Sequence, residues 1–260
     1  MKLQLLSDLH LEADPGFVAQ PAPGADLLVL AGDVDSSWQG LSRFAGWPVP
    51  VLFVPGNHEF DRRDVDEALS GLRARCDALG LHMLERDALV LAARDGRRIR
   101  FLGTTRWCDF DLFGEKERPR AMRAASYFVN VMRSTRGGNP FDPVAVREEA
   151  LRCRAWLAAE LDRLPTADKP WDVTVVVTHF GPSLRSADPR YGRQPGTASF
   201  CNADDDLLAG AQLWIHGHLH CRHDYLVPHA GGVTRVVSNA RGHSHKGESD
   251  AFDGLCCISV

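Results

Sequence analysis

Short apolar runs rich in leucine and valine recur along the chain and alternate with longer amphipathic stretches. These runs predict strands at Leu3–Ser7, Leu27–Ala31, Val51–Val54, Arg98–Gly103, Val173–Thr178, Gln212–His216, Val233–Ser238 and Leu255–Val260. Helices are predicted at Asp64–Leu79, Arg120–Arg133 and Pro143–Leu164, with Asp142 as the N-cap of the last. Alternating strands and helices predict a layered α/β domain.

No repeat, low-complexity tract or flexible linker divides the chain, and 260 residues suit one large domain. The stretch from 104 to 139 departs from strand alternation. We therefore predict a single domain over residues 1–260, with a lid or insertion at 104–139.

Charge, hydrophobicity and cysteine content argue against a nucleic-acid-binding, exported, membrane-spanning or disulfide-bonded protein. The 30 basic and 34 acidic residues give a net charge of −4, so no global basic field favours a nucleic-acid partner. The apolar run Leu3–Leu6 is too short for an export signal, and no window reaches the roughly 18–20 apolar residues of a membrane helix. Seven cysteines without a CxxC pair predict free thiols in a reducing cytoplasm.

Polar side chains of similar chemistry follow five of the predicted strands. They are Asp8 and His10, Asp33, Asn57 and His58, His179, and His218 with His220. Ligands bind outside the carboxyl ends of strands in open α/β sheets, so we expect these side chains to converge. Gly32, Gly56 and Gly217 precede three of them and suit sharp turns close to a bound ion.

Carboxylate, amide and imidazole donors without thiolate suit Mn, Fe, Zn, Ni or Mg. Seven such donors, leaving His58 aside, are too many for one tetrahedral site. They predict two divalent ions that share a bridging carboxylate, about 3.5–4 Å apart.

The order of these residues resembles a known family. Asp8-x-His10, Gly32-Asp33, Gly56-Asn57-His58-Glu59, a lone His179 and Gly217-His218-x-His220 look like the five blocks of calcineurin-like metallophosphoesterases. The blocks span most of the chain, and GNHE and GHxH are fairly specific. The resemblance implies a four-layer α/β/β/α sandwich in which two mixed sheets pack face to face.

The resemblance also implies a role for each matching residue. Asp8, His10 and His220 would hold the first ion, Asn57, His179 and His218 the second, and Asp33 would bridge them. Among the possible ions, Mn or Fe is favoured. A bridging hydroxide would attack phosphorus in line, and His58 would assist the leaving group. The implied activity is metal-dependent hydrolysis of phosphoric esters.

One position departs from the family pattern. Many members carry a second Asp three residues after the bridging Asp, where it orients the catalytic His, whereas here Asp35 lies only two residues after Asp33. A shift of one residue in an extended segment points a side chain the other way. The partner of His58 is therefore left between Asp35 and Asp61.

The expected substrate is a small phosphodiester, phosphomonoester or nucleotide-like anion. A protein Ser/Thr phosphatase is an alternative that Ser36 and Ser37 disfavour, because those members carry an Arg in this block. A nuclease is disfavoured by the net charge. A metal-free interaction scaffold is disfavoured because all seven donors and His58 are present.

Other histidines and the basic residues of the lid have open roles. His216 is expected to pack or to support the site, while His243 and His245 either line the pocket rim or lie in a solvated loop. The 104–139 segment has a net charge of +3, which either draws an anionic substrate towards the metals or marks a solvated helix face.

Overall fold

Two mixed β-sheets form the centre of the computed structural model, which describes residues 1–260. The strands are β1 Lys2–Leu6, β2 Leu27–Ala31, β3 Val51–Val54, β4 His82–Met83, β5 Asp87–Ala92, β6 Arg98–Thr104, β7 Thr135–Arg136, β8 Asn139–Pro140, β9 Val173–Thr178, β10 Leu213–His216, β11 Arg222–His229, β12 Gly232–Asn239 and β13 Cys257–Ser259. The first sheet has the order β13-β1-β2-β3-β4, and the second has the order β11-β12-β10-β9-β6-β5. β7 and β8 pair separately.

Strand direction places the polar strand ends on one side of the molecule. β1, β2, β3 and β4 run parallel, and so do β6, β9, β10 and β12 in the second sheet. Only β13, β5 and β11 are antiparallel to their neighbours, and each lies at a sheet edge. The inner strands of each sheet therefore end at a common edge.

Three helices complete the fold: α1 Val65–Leu79, α2 Arg118–Ala124 and α3 Pro143–Leu161. Asp64 and Asp142 cap α1 and α3 by accepting hydrogen bonds from the first-turn N–H groups, as the sequence predicts for Asp142. No helix combines the length and hydrophobicity needed to cross a lipid bilayer.

Four layers follow from which faces are buried. Alternate residues of both sheets, such as Leu5, Val29, Val177 and Ile215, meet in a core between the sheets. The outer face of the first sheet packs on α1 through residues such as Leu72. The outer face of the second packs on α3 in a core of its own, which includes Leu102, Leu157, Val176, Trp214 and Val236. The predicted α/β/β/α sandwich is confirmed.

All eight predicted strands occur, with boundaries shifted by at most two residues. Five further strands escaped prediction for physical reasons. β4, β7 and β8 have two residues each, β5 is mostly exposed, and β11 contains Pro228, which is typical of an edge strand.

The single helix predicted at Arg120–Arg133 is wrong. α2 ends at Ala124, and a separate π-helical turn covers Phe128–Met132. Tertiary packing explains the break, because Phe128 joins a buried aromatic cluster with Trp107 and Phe110. The same break directs Tyr127 towards His58.

Candidate dinuclear metal centre

Donor side chains from five strand ends meet where the two sheets face each other. β1, β2, β3, β9 and β10 lead into the residues predicted as ligands, namely Asp8, His10, Asp33, Asn57, His179, His218 and His220. The Nε2 atoms of His10 and His220 lie 3.0 Å apart. Nε2 of His179 lies 3.1 Å from Oδ2 of Asp33. Residues 210 positions apart in the chain therefore share one small volume.

Three of these residues carry a buried polar atom without a hydrogen-bond partner: Oδ2 of Asp33, Oδ1 of Asn57 and Nε2 of His179. Buried polar atoms are nearly always paired, because an unpaired one is costly. Asp33, His179 and His218 also offer donor atoms within 4.8 Å of one another. A divalent cation uses such lone pairs, so the residues present fit the ions that the sequence predicts.

Hydrogen bonds to the far ring nitrogen orient three of the histidines. Nδ1 of His10 lies 3.1 Å from Glu12 Oε1, and Nδ1 of His220 lies 2.7 Å from Glu248 Oε2. Nδ1 of His179 lies 2.9 Å from the carbonyl oxygen of Ala31. This arrangement holds the other nitrogen, Nε2, towards the centre and is typical of metal-binding histidines.

His218 is oriented differently. Its Nε2 lies 3.2 Å from the carbonyl oxygen of Ser199, and its backbone N–H donates to Asp8 at 2.8 Å. The ring is packed between Phe180 and Phe200, with centroid distances of 4.1 and 5.0 Å. The nitrogen left for a ligand is therefore Nδ1. Burial keeps the pKa of this histidine well below its usual value.

The backbone is strained at most of these positions. Five of the seven residues have φ between 46° and 72°, in the left-handed region that side chains other than glycine rarely adopt, namely Asp8, His10, Asp33, His218 and His220. Such strain costs of order 1–3 kcal/mol per residue and clusters at functional sites. Its concentration here supports a functional role for these strand ends.

Two of the glycines singled out in the sequence lie so close to ligand carboxylates that a side chain at either position would collide with them. A Cβ on Gly217 would come within 2.6 Å of Oδ2 of Asp8. A Cβ on Gly56 would overlap the carboxylate of Asp33. The backbone turns here at a distance that no larger residue permits.

Glu59 holds two of the ligand loops together, a role that the sequence analysis missed. Its buried carboxylate accepts the N–H groups of Asp33, Val34 and Gly56 at 3.0, 2.8 and 2.6 Å. Burial and the neighbouring Asp33 raise its pKa to about 7. The side chain therefore fixes the position of Asp33 relative to the loop that carries Asn57.

His58 lies in a hydrogen-bonded row at the edge of the centre. Its Nδ1 is 2.7 Å from Oδ2 of Asp61, and its Nε2 is 2.5 Å from the hydroxyl of Tyr127. Burial alone would lower the pKa of His58, but the carboxylates of Asp33 and Asp61 outweigh this effect and raise the pKa to about 10. A cation on Asp33 would offset part of that increase.

The open choice between Asp35 and Asp61 is resolved in favour of Asp61. The carboxylate of Asp35 instead accepts the N–H groups of Ser37 and Gly40, at 2.7 and 2.5 Å. It orders its own turn and does not contact His58.

Two of the three histidines with open roles, His216 and His243, are at least partly buried. His216 is fully buried with Nε2 2.9 Å from Ser186 Oγ, as expected for a packing residue. His243 stacks on His10 with ring centroids 4.4 Å apart, and its Nδ1 has no partner. It therefore lines the pocket, whereas His245 is exposed.

The donors open into a cavity of about 370 Å³. Ala124, Ala125, Tyr127 and Phe128 form one wall, and a second wall comes from residues 190–200. None of the seven basic side chains of the 104–139 segment lines this cavity. The cations at its mouth are Arg190 and the exposed Lys246, which the sequence analysis did not single out.

Comparisons with known proteins agree with this architecture. A family model for calcineurin-like phosphoesterases matches residues 1–222. The phosphopantetheinyl hydrolase of Mycobacterium tuberculosis has a similar structure, with a TM-score of 0.69 and 20% identity over 94% of this chain and 90% of that one. A dimetal phosphatase from Danio rerio gives a TM-score of 0.46 and 15% identity, over 92% of this chain and 86% of that one. No curated protein sequence matches the chain.

Two facing mixed sheets with helices outside define the metallophosphatase fold, and the structural neighbour with 20% identity supports that fold alone. The family match covers most of the chain, so the protein belongs to the calcineurin-like phosphoesterases. It is a metal-dependent hydrolase of phosphoric esters.

Proposed function

We propose that this protein hydrolyses a small phosphodiester, phosphomonoester or nucleotide-like ester at a centre of two divalent ions. The observation that carries the proposal is the convergence of seven Asp, Asn and His donors, three of which carry a buried polar atom without a hydrogen-bond partner. Mn or Fe is the favoured metal, and carboxylate, amide and imidazole donors without thiolate are compatible with either.

The two ions are assigned by analogy with the family and by proximity. His10 and His220 face each other and, with Asp8, would hold the first ion. His179 and His218, with Asn57, would hold the second. Oδ2 of Asp33 lies 4.0 Å from Nε2 of His10 and 3.1 Å from Nε2 of His179, which suits the bridging role.

Bound divalent ions supply an activated water and neutralise charge on the phosphoryl oxygens. The protein's own side chains do the rest. Asp61 keeps Nδ1 of His58 occupied, so a proton on Nε2 is the one available to the leaving oxygen. Tyr127 contacts the same Nε2 and aligns the ring towards the cavity.

The substrate is proposed to be a small molecule because the cavity is small. At about 370 Å³ it falls at the lower end of the range for small-molecule sites, and walls from two segments enclose it. A protein substrate or a duplex would need a more open surface.

Metal analysis together with turnover tests the proposal. Protein reconstituted with Mn should bind two ions per chain and hydrolyse bis-p-nitrophenyl phosphate, and chelation should abolish the activity. Asp33→Asn should lower metal content and rate together. Asp224→Asn, a matched change in an exposed ion pair on β11, should alter neither.

A phosphoester screen with the same protein would then narrow the substrate. Metal-loaded protein that turns over no phosphoester would contradict the proposal and favour the scaffold alternative. Cleavage of phosphoprotein or DNA in preference to every small ester would contradict the small-substrate part alone.

A further inference from the structure

A second cavity lies beside the metal-centre cavity. Its volume is about 160 Å³, and its surface is mostly apolar. The two cavities adjoin, because they share four lining residues: Tyr191, Gly196, Phe200 and Leu219. We call it the side cavity.

The size of the side cavity indicates what it holds. An apolar protein cavity of about 150 Å³ is known to take one benzene molecule. The aromatic side chains of Tyr191 and Phe200 offer faces for stacking, and such contacts favour flat groups. Phe200 is 44% exposed and Tyr191 63% exposed, so part of each ring remains free to contact a bound group.

Hydrogen bonds occupy the polar side chains of Asp188 and Thr197, which line the side cavity. Oγ1 of Thr197 donates to the carbonyl of Gly192 at 3.0 Å and accepts the N–H of Gln194 at 3.2 Å. The carboxylate of Asp188 is held by the Arg190 side chain. These groups are paired within the loop, so they present mainly their apolar surface to the cavity.

The position of the side cavity links it to the reaction. Phe200 lies against the ring of His218, and Leu219 is the next residue. A group in the side cavity would therefore adjoin a proposed ligand of the second ion.

We propose that the side cavity is a subsite for one of the organic groups on phosphorus and takes a single aromatic ring. This inference rests on the proposed function, because phosphorus must be bound at the metal centre. It makes the preferred substrate an aryl or arylalkyl phosphoester.

Phosphonates that are not hydrolysed test the subsite through binding alone. Matched pairs that differ by one phenyl ring, methyl- against benzylphosphonate and ethyl- against 2-phenylethylphosphonate, are titrated into the Mn-loaded full-length protein by calorimetry. In at least one pair we expect the ring to tighten binding by about tenfold or more.

Gly196→Leu blocks the side cavity without strain. A Cβ at Gly196 meets nothing within 4 Å, and its φ lies outside the left-handed region. The variant should reduce the affinity ratio within each pair to about one. This ratio compares two ligands on the same protein, so it does not depend on a change in the metal-centre cavity, which Gly196 also lines. The matched control is Gly231→Leu in the turn between β11 and β12, which should retain the preference.

Each outcome decides the question. Equal binding of both members of every pair, or a preference that survives in Gly196→Leu, overturns the subsite while leaving the metal centre intact. If no phosphonate binds and bis-p-nitrophenyl phosphate is not hydrolysed, the proposed function fails and the subsite fails with it.

Discussion

His58 differs from the seven predicted ligands in what surrounds it. Both of its ring nitrogens contact residues outside the ligand set, Asp61 on one side and Tyr127 on the other. In His10 and His220, by contrast, one ring nitrogen faces another predicted ligand. His58 is therefore placed to handle a proton or contact substrate beside the ions, and Tyr127 is placed to orient it.

His58→Ala should lower kcat by about 10²–10⁴-fold with metal content near wild type, because it removes a proton donor and not a ligand. The loss should be larger for alkyl esters than for p-nitrophenyl esters, whose leaving group needs little protonation. Steady-state kinetics across a series of leaving groups measures this. A loss equal for all leaving groups would contradict the role.

Tyr127→Phe should keep both ions and lower kcat by about 10- to 100-fold, since a hydrogen bond to a charged group contributes roughly 1.5–3 kcal/mol. Its dependence on the leaving group should parallel that of His58→Ala. Tyr225→Phe is the matched control, because that hydroxyl, on β11, bonds Ser186 and not His58. Wild-type kinetics in Tyr127→Phe would remove the residue from the proposed site.

Gly217→Ala should weaken metal binding, because the added methyl would displace the carboxylate of Asp8. Metal content after dialysis should fall well below two ions per chain. Gly231→Ala, where space is available, should bind metal as wild type does. Full occupancy in Gly217→Ala would show that Asp8 is not held as described.

At the scale of elements, the segment 104–139 is anchored firmly at its start. The guanidinium of Arg106 is fully buried and bonds Asp204 at 2.7 and 2.9 Å and Asp109 at 2.8 Å. The carboxylates raise the pKa of this arginine. Any movement of the predicted lid is therefore expected beyond this anchor, around α2 and the π-helical turn.

Arg106→Ala should lower the free energy of unfolding by about 3–5 kcal/mol, because it removes the fully buried cation that pairs with the carboxylates of Asp109 and Asp204. Arg235→Ala removes a bidentate pair with Asp224 that is exposed, and should cost at most about 1 kcal/mol. Urea unfolding of both variants makes the comparison. Equal losses would contradict the structural importance assigned to the Arg106 anchor.

The sequence predicts the strands and the strand-end donors well, since both depend on local pattern. It does not reveal Glu248, which lies 28 residues after His220 and meets it only through tertiary folding. Tyr127 was missed because the sequence predicts one continuous helix, whereas α2 ends at Ala124 and the chain turns so that Tyr127 points inward. Glu12 could have been found, because it lies two residues after His10.

At the scale of the whole molecule, the candidate metal centre joins the two sheets. Asp8, Asp33 and Asn57 follow strands of the first sheet, whereas His179 and His218 follow strands of the second. Bound ions would therefore add to the few hydrogen bonds, such as His218 N–H to Asp8, that connect the two sheets at this edge.

Metal removal should lower the melting temperature. A ligand at 100 times its Kd stabilises the folded state by about 2.7 kcal/mol, which for a chain of this length corresponds to roughly 5–10 °C. Calorimetry with and without chelator measures the shift, and Asp33→Asn should show a smaller one. An unchanged melting temperature in wild-type protein that has demonstrably lost its ions would contradict the coupling between the sheets.

Because the donors come from two sheets, the ribosome synthesises the two halves of the metal centre at different times. Asn57 and His179 are separated by about 120 residues, which a ribosome adds in about 6–24 s at roughly 5–20 residues per second. If the first sheet folds in that interval, the nascent chain presents the carboxylates of Asp8 and Asp33 beside His10, without the histidines of the second sheet. An ion that bound this half would then be selected by supply, before the geometry of the complete site exists. The metal content of the purified protein should therefore record the growth medium as well as the site.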